Sequence, residues 1–121
     1  MSALGRYFLF AVCLILPSCD DNRDYYTRMA VKGLATAPVD MVRSQTAKVV
    51  AKGAYALPDI EQEFHGADPA GRKRLLEALR LIKDPRALPF VRYTARWDQD
   101  PKVRKDAERV AEALALLQSK P

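Results

Sequence analysis

The chain has 121 residues, 49% of them apolar and 29% charged, with 20 Lys or Arg against 15 Asp or Glu and a formal charge of +5. That length excludes two full cores, and ordinary apolar content with five glycines excludes a disordered or fibrous chain. The two cysteines and the basic balance bear on redox chemistry and partners only if the whole chain is retained, so the N-terminus is read first.

Arg6 is followed by the apolar run Tyr7-Phe8-Leu9-Phe10-Ala11-Val12-Cys13-Leu14-Ile15-Leu16 and then by Pro17-Ser18-Cys19-Asp20-Asp21. A basic residue before ten apolar ones fits a secretory signal, because a membrane-spanning helix needs about 20 apolar residues. Leu16-Pro17-Ser18-Cys19 resembles the lipobox of bacterial lipoproteins, with Leu three residues before a Cys and a small residue just before it; Pro17 departs from the usual small or β-branched residue. That resemblance implies cleavage after residue 18 and a diacylglycerol on the Cys19 thiol with acylation of its freed amine, a durable anchor in a bilayer. Asp20 and Asp21 resemble the signal that keeps such lipoproteins in the inner membrane of enteric bacteria, so the implied location is the cell envelope, facing the periplasm. Residues 19–22 are then a short linker and 23–121 the folded domain. Cys13 would leave with the signal and Cys19 carry lipid, so no thiol remains for a disulfide, a nucleophile or a metal cluster.

Beyond residue 21 the apolar spacing is helical, and it predicts six helices at about 23–35, 40–54, 58–65, 69–83, 86–97 and 101–118. Val103, Ala107, Val110, Leu114 and Leu117 lay one stripe along the last, and Leu75, Leu79 and Ile82 do the same in the fourth. Asp68, Asp84 and Asp100 each precede a Pro, a pairing suited to a helix start: the carboxylate caps orphan N–H groups, and Pro at the first helical position has no N–H to leave unpaired. The segments also repeat. Asp68-Pro69-Ala70-Gly71-Arg72-Lys73 matches Asp100-Pro101-Lys102-Val103-Arg104-Lys105, and Ala56-Leu57-Pro58-Asp59-Ile60 matches Ala87-Leu88-Pro89-Phe90-Val91 at nearly the same offset. A fainter copy begins at Asp40-Met41-Val42-Arg43.

Ile82-Lys83-Asp84-Pro85-Arg86-Ala87-Leu88-Pro89-Phe90-Val91 and Asp100-Pro101-Lys102-Val103-Arg104-Lys105-Asp106-Ala107 resemble the HEAT repeat, in which an Asp-Pro-Arg-Ala-Leu-Pro element opens the first helix and Asp-Pro-x-Val-Arg-x-x-Ala the second. The likeness is strong over 68–118, fair over 40–67 and weak over 20–39. It implies an all-α fold: a short right-handed α-solenoid of antiparallel helix pairs, with about two and a half to three repeats. It also implies that Arg72 and Arg104, with Arg43 at the same position of the faint copy, pair with Asp68 or Asp100 of a neighbouring repeat to hold the stack in register.

No residue set points to catalysis. His65 is the lone histidine and falls in a predicted turn before Gly66; a metal site would need further ligands. Glu61, Glu63 and Asp59 suit the positive end of a short helix. Neither a Gly-rich phosphate loop nor a nucleophile elbow occurs, so no cofactor is expected. The partner surface expected from sequence is the face of the second helices, with Lys73, Arg80, Lys105 and Arg109 and with Tyr93 and Trp97 nearby. Glu77 and Glu112 interleave with these cations, as on a solvated face. Without Arg6 the balance is 19 Lys or Arg against 15 acids, or +4, which is thin for nucleic acid; no nucleic-acid partner is expected. The sequence therefore reads as a non-catalytic, lipid-anchored scaffold or assembly factor that binds another envelope or membrane protein. Two alternatives stay open: a HEAT-like lyase or enzyme subunit, and a basic nucleic-acid-binding solenoid whose N-terminal segment stays in the cytoplasm.

Overall fold

The computed structural model describes residues 21–119, which are helical throughout apart from short turns. Six α-helices follow in chain order: α1 (Asp21–Ala35), α2 (Val42–Lys52), α3 (Leu57–Phe64), α4 (Pro69–Ile82), α5 (Leu88–Trp97) and α6 (Pro101–Ser119). Single 3-10 turns at Val39–Met41, Gly53–Ala56 and Pro85–Ala87 lead into α2, α3 and α5. The expected signal segment 1–18 and the lipid site at Cys19 lie outside the described residues.

The Asp-Pro pairs act as helix starts. The Asp68 carboxylate accepts from the Gly71 N–H at 2.7 Å, Asp84 from Arg86 N–H at 2.9 Å, and Asp100 from Lys102 and Val103 N–H at 2.7 and 3.3 Å. Each places its Pro in the first turn, where a missing N–H costs nothing. Pro58 and Pro89 are the second residues of α3 and α5, each following a 3-10 turn. Where the sequence suggested one helix over 40–54, the chain instead tightens to a 3-10 turn at Val39–Met41 and leaves α2 at Gly53, whose φ of 58° favours glycine. Lys83 ends α4 in the left-handed region at φ 60° and donates its N–H to Leu79 O.

Packing follows the pairs. Helices α1 and α2, α3 and α4, and α5 and α6 pack on each other, while α2 with α4 and α4 with α6 join one pair to the next. One core runs through all of them, from Val31 and Leu34 of α1 through Val49 and Ile60 to Leu75, Leu76 and Leu79 of α4 and on to Val91, Val103 and Leu114. Helix α4 lies at its centre, against α1, α2, α3 and α6. A Cβ on Gly71 would stand 2.6 Å from the backbone oxygen of Ala35, nearer than a carbon can approach an oxygen that is fixed in a helix end.

Gly71→Ala therefore inverts the usual rule. An exposed mid-helix Gly→Ala change stabilises by about 0.5 to 1 kcal/mol, yet here thermal denaturation is expected to show a lowered Tm, because α1 must move off α4. Leu76→Ala, which opens a cavity in the same region, is expected to cost about 2 to 5 kcal/mol.

Candidate functional site

The expected partner surface divides into two regions. Tyr93 and Trp97 stand four apart on α5, 62% and 65% exposed, and line a cleft of about 250 Å³. Its floor and walls come from Phe64 and His65 at the end of α3, from Phe90 of α5, and from Arg72 and Asp98. Phe64 and Phe90 meet edge to face at 5.2 Å and 88°, which closes the base of the cleft and joins α3 to α5. A shallower groove lined by Pro58, Glu61, Gln62, His65, Phe90 and Tyr93 adjoins it. The rim thus offers two exposed aromatic rings and an imidazole, around a floor in which Phe64 and Phe90 adjoin the Arg72 to Asp98 pair.

None of Lys73, Arg80, Lys105 and Arg109 lines this cleft. Three of the four are drawn to acids on their own face: Lys73 Nζ lies 3.6 Å from Asp106, Arg109 3.8 Å from the same carboxylate, and Arg80 is 2.6 Å from Glu77. The Glu77 hydrogen bond raises the affinity of the Arg80 guanidinium for its proton. Lys105 is exposed without an ion pair among the described residues.

The repeat arginines are also placed differently. Asp68 and Asp100 are helix caps, and the acid that meets Arg72 is Asp98. Arg72 Nε and Nη2 grip the two Asp98 oxygens at 2.9 and 3.1 Å while Nη1 donates to Ala67 O at 2.7 Å. Asp98 also accepts the Asp100 N–H at 2.9 Å. With side chains only 16% and 6% exposed, this two-point contact ties the start of α4 to the α5–α6 loop. Arg104 turns back on its own loop and donates to Asp98 O at 2.6 Å, and Arg43 is exposed. Arg74, the last residue of the basic run Arg72-Lys73-Arg74, reaches Ala35 O at 3.4 Å. Sequence reasoning missed Asp98 because no Pro follows it; its one signal was a second acid two residues ahead of the Asp100 cap.

No group of His, Cys, Asp or Glu among the described residues is placed to hold a metal ion, and no helix among them is long and apolar enough to cross a membrane. Scans of family models, curated proteins and solved structures for relatives of the chain returned no match.

Two outcomes follow from these contacts. Asp98→Ala strands the Arg72 guanidinium and is expected to cost about 2 kcal/mol or more in chemical denaturation, whereas Glu77→Ala, at an exposed pair, is expected to cost about 0.5 kcal/mol or less. The side-chain bond from Arg86 holds the Asp84 carboxyl below its ordinary range, and the Lys102 N–H does the same for Asp100. A carboxylate favoured by folding stabilises above its unfolded value and ceases to do so as pH falls through the folded one. Tm is therefore expected to be level above about pH 5 and to fall below about pH 4, with a shallower fall in Asp100→Asn, which retains a capping oxygen.

Proposed function

We propose that this chain is a bacterial envelope lipoprotein, anchored through acylated Cys19 and facing the periplasm, whose helices form a short HEAT-like α-solenoid that binds another envelope protein without catalysing a reaction. The observation that carries the binding role is the open aromatic cleft between α3 and α5, where Tyr93 and Trp97 remain largely exposed beside Phe64 and Phe90. Large aromatics gathered around a concavity are the side chains that dominate protein recognition, because they bury much area at little conformational cost.

The order of packing supports the solenoid reading: three helix pairs follow in sequence, and their second helices α2, α4 and α6 pack in series. The Asp68 and Asp100 caps each open the second helix of a pair, the Asp84 cap falls between two pairs, and the Arg72 to Asp98 tie joins the second pair to the third. The lipobox-like stretch supports the anchored location. Helix α1 starts at Asp21, so only Asp20 separates it from Cys19. At no more than about 3.6 Å per residue, those two steps hold α1 within about 7 Å of the attachment point. The non-catalytic role is supported by the cleft's own chemistry, since its carboxylate, Asp98, is already held by Arg72 and the Asp100 N–H.

A photoreactive residue at position 97, in protein expressed with its own N-terminus, is expected to give one discrete crosslinked product in membranes that the same residue at exposed Glu112 does not give. Tyr93→Ala with Trp97→Ala is expected to weaken binding of that partner by about thirtyfold or more and, since both side chains are mostly exposed, to leave Tm nearly unchanged. Equal products at both positions, or none at 97, would show that the cleft is not the binding surface. Mass spectrometry of the mature N-terminus tests the anchor separately: acylated Cys19 is expected, and an intact Met1 rejects it.

A further inference from the structure

The first helix pair carries a surface with a different composition from the rest. Tyr25, Met29 and Lys32 stand at i, i+4 and i+7 on one stripe of α1, and Tyr26 adjoins them. Tyr25 and Tyr26 meet edge to face at 5.6 Å, and the two rings and Met29 are 54%, 65% and 49% exposed. Beside this stripe a groove of about 570 Å³ runs between α1 and α2, with Tyr26, Met29 and Ala30 on one side and Lys48, Ala51 and Lys52 on the other. No acid lines it. Lys32, Lys48 and Lys52 are exposed and form no ion pair among the described residues.

We infer that this face of α1 and α2 lies on the bilayer, with Tyr25, Tyr26 and Met29 at the level of the headgroups and Lys32, Lys48 and Lys52 against anionic lipid. Tyrosine is a side chain of the membrane interface, with an apolar ring and a polar tip, and lysines near an anionic surface each gain attraction to it. The occupant follows from the chain itself. The apolar run 7–16 and Cys19 immediately precede α1, so the anchor that the lipoprotein reading supplies enters the membrane beside this stripe. A helix so tethered lies in the interface plane with its apolar and basic sides towards lipid. The inference rests on the anchored reading and adds to it an orientation and a lipid class.

The test uses the full-length protein purified from bacterial membranes and reconstituted in vesicles of phosphatidylethanolamine with phosphatidylglycerol, or of phosphatidylcholine alone. Met29→Cys supplies the one free thiol of an acylated chain and carries an environment-sensitive fluorophore; Glu112→Cys on α6 is the control. On the anionic vesicles the label at 29 is expected to shift to the blue and to lose its quenching by aqueous iodide, while the label at 112 keeps it. Replacing Lys32, Lys48 and Lys52 with Gln, or using phosphatidylcholine, is expected to restore quenching at 29. A label at 29 that is as accessible as the one at 112 on anionic vesicles overturns the orientation. The N-terminal mass of the same sample separates the two levels of failure. With Cys19 acylated and position 29 accessible, the membrane face is rejected and the anchor stands. With Cys19 unmodified, the anchored reading fails and takes this inference with it.

Discussion

The arrangement of helices depends on how closely α4 can approach the end of α1. The Ala35 carbonyl belongs to the last residue of α1, where helix carbonyls lack intrahelical donors. Helix α4 meets it with two residues: Gly71, which leaves room for the oxygen, and Arg74, whose guanidinium donates to it at 3.4 Å. A cation at a helix C-terminus also matches the negative end of the dipole. Because α4 packs against α1, α2, α3 and α6, fixing it on α1 sets the depth of the core between the first pair and the rest. Leu75 and Leu76 then bury completely against neighbours on several sides. The same contact makes α1 part of the folded body, so whatever holds the start of α1 orients the whole domain.

Electrostatics divides the molecule in a way that net charge conceals. An excess of +5 over 121 residues suggests a diffuse basic surface. Along the basic run of α4, however, each cation has a structural partner: Arg72 has Asp98 and Ala67 O, Lys73 has Asp106, and Arg74 has Ala35 O. The more exposed Lys73 to Asp106 pair contributes little to stability, but it offsets the local charge. Lys32, Lys48 and Lys52 on α1 and α2 have no acid partner among the described residues and adjoin exposed tyrosines. A partner of the α4 and α6 face would have to break existing ion pairs, whereas one at the first pair would not. Where charge is uncompensated is thus a better guide to an anionic neighbour than how much charge the chain carries.

Much of the fold was legible in the sequence because its signals are local. The predicted helix at 69–83 is Pro69–Ile82 in the structure and that at 101–118 is Pro101–Ser119, since an Asp capping N–H groups two or three residues away acts within a single turn. The apolar stripe of Val103, Ala107, Val110 and Leu114 is buried, and Leu117 at its end is exposed. What could not be read were contacts whose partners lie far apart in the chain. Arg72 and Asp98 are 26 residues apart, and nothing at either position distinguishes Asp98 from the capping acids around it. Gly71 reads as a weak helix residue until Ala35 is placed against it. Tyr93 and Trp97 were legible as a pair on one side of α5, but their neighbours Phe64 and His65 come from α3, and a periodicity cannot say which helix stands opposite.

The two proposed surfaces constrain one another. If α1 and α2 rest on lipid, the cleft between α3 and α5 belongs to the second and third helix pairs, one to two helix layers further from the bilayer. With packed helices about 8 to 10 Å apart, that puts Tyr93 and Trp97 some 10 to 20 Å above the headgroups. On that proposed reading a domain tethered one residue from its anchor would not extend to partners far from the bilayer, and its cleft would be carried at a nearly constant height and tilt. The partner it can meet is one that presents an extramembrane segment at that height, such as the juxtamembrane part of an integral protein. Because lipid already limits both molecules to two dimensions and a shared depth, part of the orientational cost of association is removed before contact. A shallow cleft with two aromatic anchors can then suffice where a free protein would need a larger interface.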